Sequence, residues 1–312
     1  AVLALAAAGA WAQSLGTLQG TSHRTPFAGT SVSNIAGIVT AVDANGFWFQ
    51  DAGDGNALTS DALYVFRGAA GTKPLVGQAL LVAGQVQEFR PGNTATNLTT
   101  TQINATSAFG GAFTVQSSGN ALPAAMAIGP GFLPPSAIAP LVGNVETAPG
   151  YTLNPSLYSM DFYESLEGMR VALPSAVSSG PTNSFGELAL VPSAALSQPG
   201  VLASPRGGVV IGPEQFNGTR LLIDDRLAAP PQVNSGALLS NTVGVMDYSF
   251  GNYKLLVTAA PTVVSNSLVP EVASIPTGHF GLASYNVETL GGNAAPARFT
   301  AIATQLAVNA GA

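Results

Sequence analysis

The chain has 312 residues, no cysteine, a net charge of −6, and only 8% charged residues against 46% hydrophobic ones. The lack of cysteine excludes disulfides, thiolate nucleophiles and cysteine-ligated zinc, and the acidic balance argues against a strong non-specific hold on nucleic acid. Charged residues usually make up about a quarter of a globular domain, so a Gly/Ala/Thr/Asn-rich surface of the exported kind is expected, with 36 Gly and 22 Pro punctuating short strands.

Residues 1–12 are nearly all apolar and end in Ala10-Trp11-Ala12, an A-x-A-like cleavage site. They read as the remnant of a signal peptide, cut short at the front because neither Met nor a basic region precedes it. No other stretch is long enough to span a bilayer. The mature protein is therefore expected to be secreted: extracellular, periplasmic or at the cell surface, with no membrane part.

Residues 18–106 read as a first domain of strand after strand. Ile35 to Val42 is rich in β-branched residues, Asp43-Ala44-Asn45-Gly46 makes a turn, and Phe47-Trp48-Phe49-Gln50 returns. Ala62 to Phe66 and Gly77 to Phe89 follow. The latter places Val82, Gly84, Val86 and Glu88 on one face and Ala83, Gln85, Gln87 and Phe89 on the other. Five short strands in so short a span predict a small closed barrel of the OB-fold type.

Residues 107–142 are Pro/Ala-rich and uncharged, and are expected to be an extended connector. Residues 143–266 return to strand patterns and read as a second, OB-like β unit. Gly84 to Phe89 is echoed by Gly244 to Tyr248, each a Gly, an alternation, an acid and an aromatic. Residues 267–278 read as a linker. In 279–312, an apolar strand from Phe280 to Tyr285 meets Asn286-Val287-Glu288. Over 297–309, Phe299, Ile302, Ala303 and Leu306 share one helical face. Strand, carboxylate loop and helix is the first unit of an α/β domain. The fold class is thus mainly β, two OB-like units followed by the first βα unit of a truncated α/β catalytic domain.

Several stretches carry a family resemblance: Leu18 to Pro26, Gly37 to Val42, Glu88 to Gly92, Asp161 to Met169 (DFYESLEGM), Gly180 to Glu187 and Asp247 to Leu256. With Asn286-Val287-Glu288-Thr289-Leu290, they resemble the N-terminal half of bacterial extracellular nucleases of the endonuclease/exonuclease/phosphatase superfamily, over nearly the whole chain. Thr289 departs from that family's Asn-Val-Glu-Asn-Leu. The resemblance implies an OB-like region ahead of a four-layer α/β sandwich that hydrolyses extracellular DNA. It also implies that Glu288 is a metal ligand and that Asn286 orients phosphate or metal. The implied cofactor is Mg²⁺, with Ca²⁺ or Mn²⁺ as alternatives. Such a cation neutralises phosphate charge and activates water. The implied partner is DNA; no stable protein partner is implied. The further His, Asp and Asn of the family's active site lie downstream of residue 312, so the chain by itself is expected to be inactive. A phosphatase of the same superfamily and a secreted, non-enzymatic β-rich binding module are the alternatives.

Other residues yield weaker readings. Trp48, outward on its strand, is the one candidate for stacking a nucleobase, with Arg90 among the nearby cations. The Asp51–Asn56 loop with Asp61 is oxygen-rich but lacks EF-hand spacing, and reads as a solvated hairpin loop. His23 reads as a turn or capping residue, His279 fits no motif, and Glu164, Glu167, Asp224 and Asp225 have no partner His within reach in sequence.

Overall fold

The computed structural model describes residues 13–204, 208–212, 216–266, 277–280, 282, 286–287 and 290–310. It divides into two compact units, 1–267 and 268–312. The signal-peptide reading of 1–12 lies outside the described residues.

The first unit is mainly β and contains two closed five-stranded barrels. A short helix α1 (Leu15–Gln19) precedes β1 (Ser31–Val42), β2 (Gly46–Gln50), β3 (Ala62–Phe66), β4 (Ala79–Phe89) and β5 (Thr100–Asn104). Their order is β1-β2-β3-β5-β4, closed by pairing of β4 with β1. All neighbours are antiparallel except β3 and β5. Closure is possible because β1 is long and bent. Its first half pairs with β4 and its second with β2, with irregularities at Val32/Ile35 and Val39/Ala41. The Asp43–Gly46 turn forms as expected, its Asp43 carboxylate accepting from the Asn45 and Gly46 amides. Phe47, Phe49, Val82, Val86 and Ile103 fill the barrel, and Leu15 and Leu18 of α1 join that core.

Beyond β5 lie β6 (Ala112–Ser117) and β7 (Met126–Ala127). The 107–142 segment is therefore not only an extended connector: β6 adds to β4 of the first barrel, and β7 adds to the second. The second barrel opens with a short helix α2 (Ser159–Glu164), followed by β8 (Arg170–Ser178) and β9 (Leu188–Pro192). A small hairpin of β10 (Leu202–Ala203) and β11 (Val209–Val210) precedes β12 (Leu221–Asp224), β13 (Leu238–Ser249), β14 (Asn252–Val257) and β15 (Thr262–Ser265).

The pairing order β8-β9-β12-β14-β13, closed by β13 on β8, repeats that of the first barrel, again with one parallel pair, β12 and β14. Even β15 repeats β6, pairing antiparallel to the start of the long fourth strand. The echo in sequence has a physical basis at its glycines. A Cβ on Gly84 would lie 2.5 Å from the Asn104 carbonyl, and one on Gly244 2.3 Å from the Leu256 carbonyl. In both barrels the fifth strand crosses the fourth too closely for a side chain.

In the second unit the expected helix is present as α3 (Pro296–Ala310), with Pro at its first position where no N–H is missed. Phe280 and Leu282 are not in a strand, and Gly281 and residues 283–285 lie outside the described residues. The α/β catalytic unit is thus not visible as such among the described residues.

Candidate functional site

The two barrels of the first unit meet along residues 161–169, every one of which is buried. This segment carries three carboxylates, and each finds a partner brought from elsewhere. Asp161 Oδ1 lies 2.8 Å from His23 Nε2, while its Oδ2 accepts from Tyr151 Oη and from the Asn154 amide at 2.7 Å. Glu164 Oε2 accepts from Tyr253 Oη at 2.6 Å and lies 3.4 Å from His23 Nδ1, an ion-pair contact without hydrogen-bond geometry. Glu167 Oε1 accepts from the Thr101 amide at 3.0 Å, and its carbonyl accepts from Ser60 Oγ. Its other oxygen, Oε2, has no hydrogen-bond partner.

The electrostatics follow from burial. Burial of His23 by itself favours the neutral ring, but the charge of Glu164 and the hydrogen bond to Asp161 outweigh it and raise the pKa to about 9. Burial pushes Asp161 up, and the bonds from His23, Tyr151 and Asn154 more than reverse that, leaving it lowered. Burial and the negative neighbours Glu164, Glu88 and Asp247 hold Glu167 well above the usual carboxylate range. His23 is thus an imidazolium clamped between two carboxylates, a structural cation inside the joint. His23 is therefore a buried ion-pair partner rather than a turn or capping residue, and Glu164, read as lacking a partner His, has one, whereas Glu167 and Asp224 bond to Thr101 and Lys254 instead. The only advance signal was the run of carboxylates at i, i+3 and i+6 in an otherwise apolar segment.

Beside this joint the outer face of the first barrel and β13 of the second enclose a cleft of about 370 Å³. Trp48 forms one wall. Its alternation does place it outward, as expected, but outward is not solvent here. At 1% exposure, it clusters with Ala41, Val245 and Leu256 across the joint. The Arg226 guanidinium lies 5.2 Å over its ring. Trp48 is therefore no open platform for a nucleobase. Arg226 bonds to Asp43 and, at 3.2 Å, to Asp247. Burial raises Asp247 to about 6 despite that cation.

The remaining candidates are placed as follows. Arg90 pairs with Glu146 at 2.7 Å and donates to the Asn97 carbonyl, so its charge is already neutralised. Asn286 is described and exposed, and Arg298 Nη2 of α3 donates to the neighbouring Val287 carbonyl at 2.9 Å. Glu288 lies outside the described residues. The Asp51–Asp61 loop is a hairpin loop held by its own turns: Asp51 accepts from the Leu15 and Gly53 amides and Asp54 from Asn56. Among the described residues no group of three His, Asp or Glu is placed to hold a metal ion.

Residues 127–267 match a family model described as a domain of unknown function (DUF8508). That span runs from β7 through β15, so it frames the second barrel together with α2 and the buried 161–169 segment. No curated protein matches the chain.

Proposed function

We propose that this chain is the β-rich front part of a secreted, divalent-metal-dependent nuclease that hydrolyses the phosphodiester bonds of extracellular DNA. In this reading both barrels are OB-like, and 279–312 opens the α/β catalytic domain with Asn286 and Glu288 at its edge. The barrel order 1-2-3-5-4-1 supports the OB assignment, since that five-stranded Greek-key barrel serves oligonucleotide and oligosaccharide binders. One observation carries the proposal furthest. Four of the stretches that resemble the nucleases, scattered through the sequence, meet at one joint: Leu18–Pro26 with His23, Glu88–Gly92 with Glu88, Asp161–Met169, and Asp247–Leu256 with Tyr253.

The barrels act as a brace rather than as the grip on DNA. Arg67, Lys73, Arg90, Arg170, Arg226 and Lys254 each direct their charge to a carbonyl or carboxylate of the same unit, which leaves Arg24 and Arg220 as the exposed cations of its described residues. Phosphate contacts need such cations uncommitted. The Mg²⁺ of this proposal, or Ca²⁺ or Mn²⁺ in its place, finds no group of three or more His, Asp or Glu side chains among the described residues. The test is full-length protein carrying Glu288→Gln. We expect it to lose nearly all divalent-dependent DNase activity while folding normally. Retained activity would remove Glu288 from the site, and absence of any nuclease activity in the wild type would leave a non-enzymatic binding module, the reading that the cleft favours.

A further inference from the structure

The cleft between the barrels has a lining that the nuclease reading does not use. Its floor and one side come from the outward residues of β3, β5 and β4: Tyr64 and Phe66, Gln102 and Asn104, Gln87 and Phe89. The amides form a ladder. Asn104 Nδ2 donates to Gln87 Oε1 at 3.1 Å, and Gln87 Nε2 donates to Gln85 Oε1 at 2.9 Å. Each of these amides keeps a further N–H or lone pair for another partner. Gln102, opposite Gln87 in the strand pairing, lines the same cleft, and its amide is reached from the cleft rather than sealed in the core. An amide that faces a cleft offers its two N–H groups and its carbonyl lone pairs to whatever fills the cleft, water or a ligand. Glu167 also lines the cleft. At the rim Phe89 is 49% exposed.

The chemistry of the occupant follows by elimination. A polyanion is disfavoured, because Arg226, the cation on the wall, is already held by Asp43 and Asp247. An added peptide strand is disfavoured, because β3, β5 and β4 lie inside a closed barrel with no edge there to extend. What remains is a neutral molecule with donors and acceptors on adjacent atoms and a flat apolar face. Hydroxyls, each both donor and acceptor, match the mixed capacity of an amide ladder, and aromatic rims take the apolar face of a ring.

We infer that this cleft is a binding site for a neutral saccharide, held by Gln102, Gln87 and Asn104 and packed against Phe89. The inference does not depend on the nuclease reading, and a chain without any DNase activity would still show it.

The experiment is titration of the full chain with cellohexaose, laminarihexaose and chitohexaose, read by calorimetry and by the fluorescence of Trp48 on the cleft wall. At least one is expected to bind saturably. Gln102→Leu, which keeps the side chain's bulk, is expected to weaken that binding about tenfold, the value of one lost hydrogen bond to a buried amide. Phe89→Ala is expected to weaken it as well, whereas Phe185→Ala, an exposed aromatic away from the cleft, leaves it unchanged. Unchanged thermal midpoints in these variants separate lost binding from lost folding. The inference is overturned if none of the three sugars binds below about 10 mM, or if binding is equal in Gln102→Leu and wild type. It is also overturned if a thymidylate dodecamer, rather than a sugar, is the ligand whose binding both cleft variants abolish.

Discussion

His23 shows how one side chain fixes the behaviour of the joint. Its pKa rises from 6.5 to about 9 on folding, so the folded state holds its proton more tightly than the unfolded chain. The stability from this group is fully present below pH 6.5 and is lost as pH rises through about 9, in all about 3 kcal/mol. Asp247, raised by burial to about 6, has the same sign but an earlier window, from its ordinary value of 3.8 up to about 6. Urea unfolding between pH 6.5 and 9 is therefore expected to show falling stability in the wild type and a much flatter profile in His23→Gln. Equal slopes in the two proteins would mean that the imidazolium is not the clamp. No reading of neighbours in sequence reaches this pair, because nothing local marks which carboxylate a histidine so far away will meet.

Among the elements, the turn that follows α2 matters most, because it threads between the barrels. Gly168 has φ +73, donates its amide to the Met246 carbonyl of the second barrel at 2.8 Å, and lies where a Cβ would sit 3.2 Å from the Leu63 nitrogen of the first. Left-handed backbone costs a non-glycine residue about 1–2 kcal/mol, and crowding adds to it. Gly168→Ala is expected to destabilise the unit by about 2 kcal/mol in chemical denaturation; a change under about 0.5 kcal/mol would show that the joint relaxes around it. The strands themselves were legible beforehand. Alternation in β4 put Val82 and Val86 on one face and Gln85 and Gln87 on the other, and the structure buries the first face. The same alternation could not say what covers the outside, which is why Trp48 reads as outward and is buried.

At the scale of the molecule, two barrels of the same topology share one compact unit. Trp48 of one packs with Val245 and Leu256 of the other, and the Arg170 amide donates to Gln50 Oε1 at 2.9 Å across the same boundary. Folding them as independent beads would take His23 from Asp161 and Glu164 and the Thr101 amide from Glu167, at several kcal/mol for a broken buried pair. The pair is therefore expected to unfold in a single transition, with near- and far-ultraviolet circular dichroism coincident. Trp48→Ala, a loss of about 3–5 kcal/mol of packing, is expected to separate the two signals; two transitions in the wild type would contradict this coupling.

By itself the sequence determined most strands of the two barrels, the hairpin turn, the final helix and the two-fold repetition of a β unit. All of these rest on spacing within a few residues, where periodicity and turn chemistry act. The tertiary structure decided which carboxylates are charged, which cations are already paired, and where a cleft opens. Those depend on burial and on partners drawn together from opposite ends of the unit, and burial sets the cost of every charge and every unmet hydrogen bond.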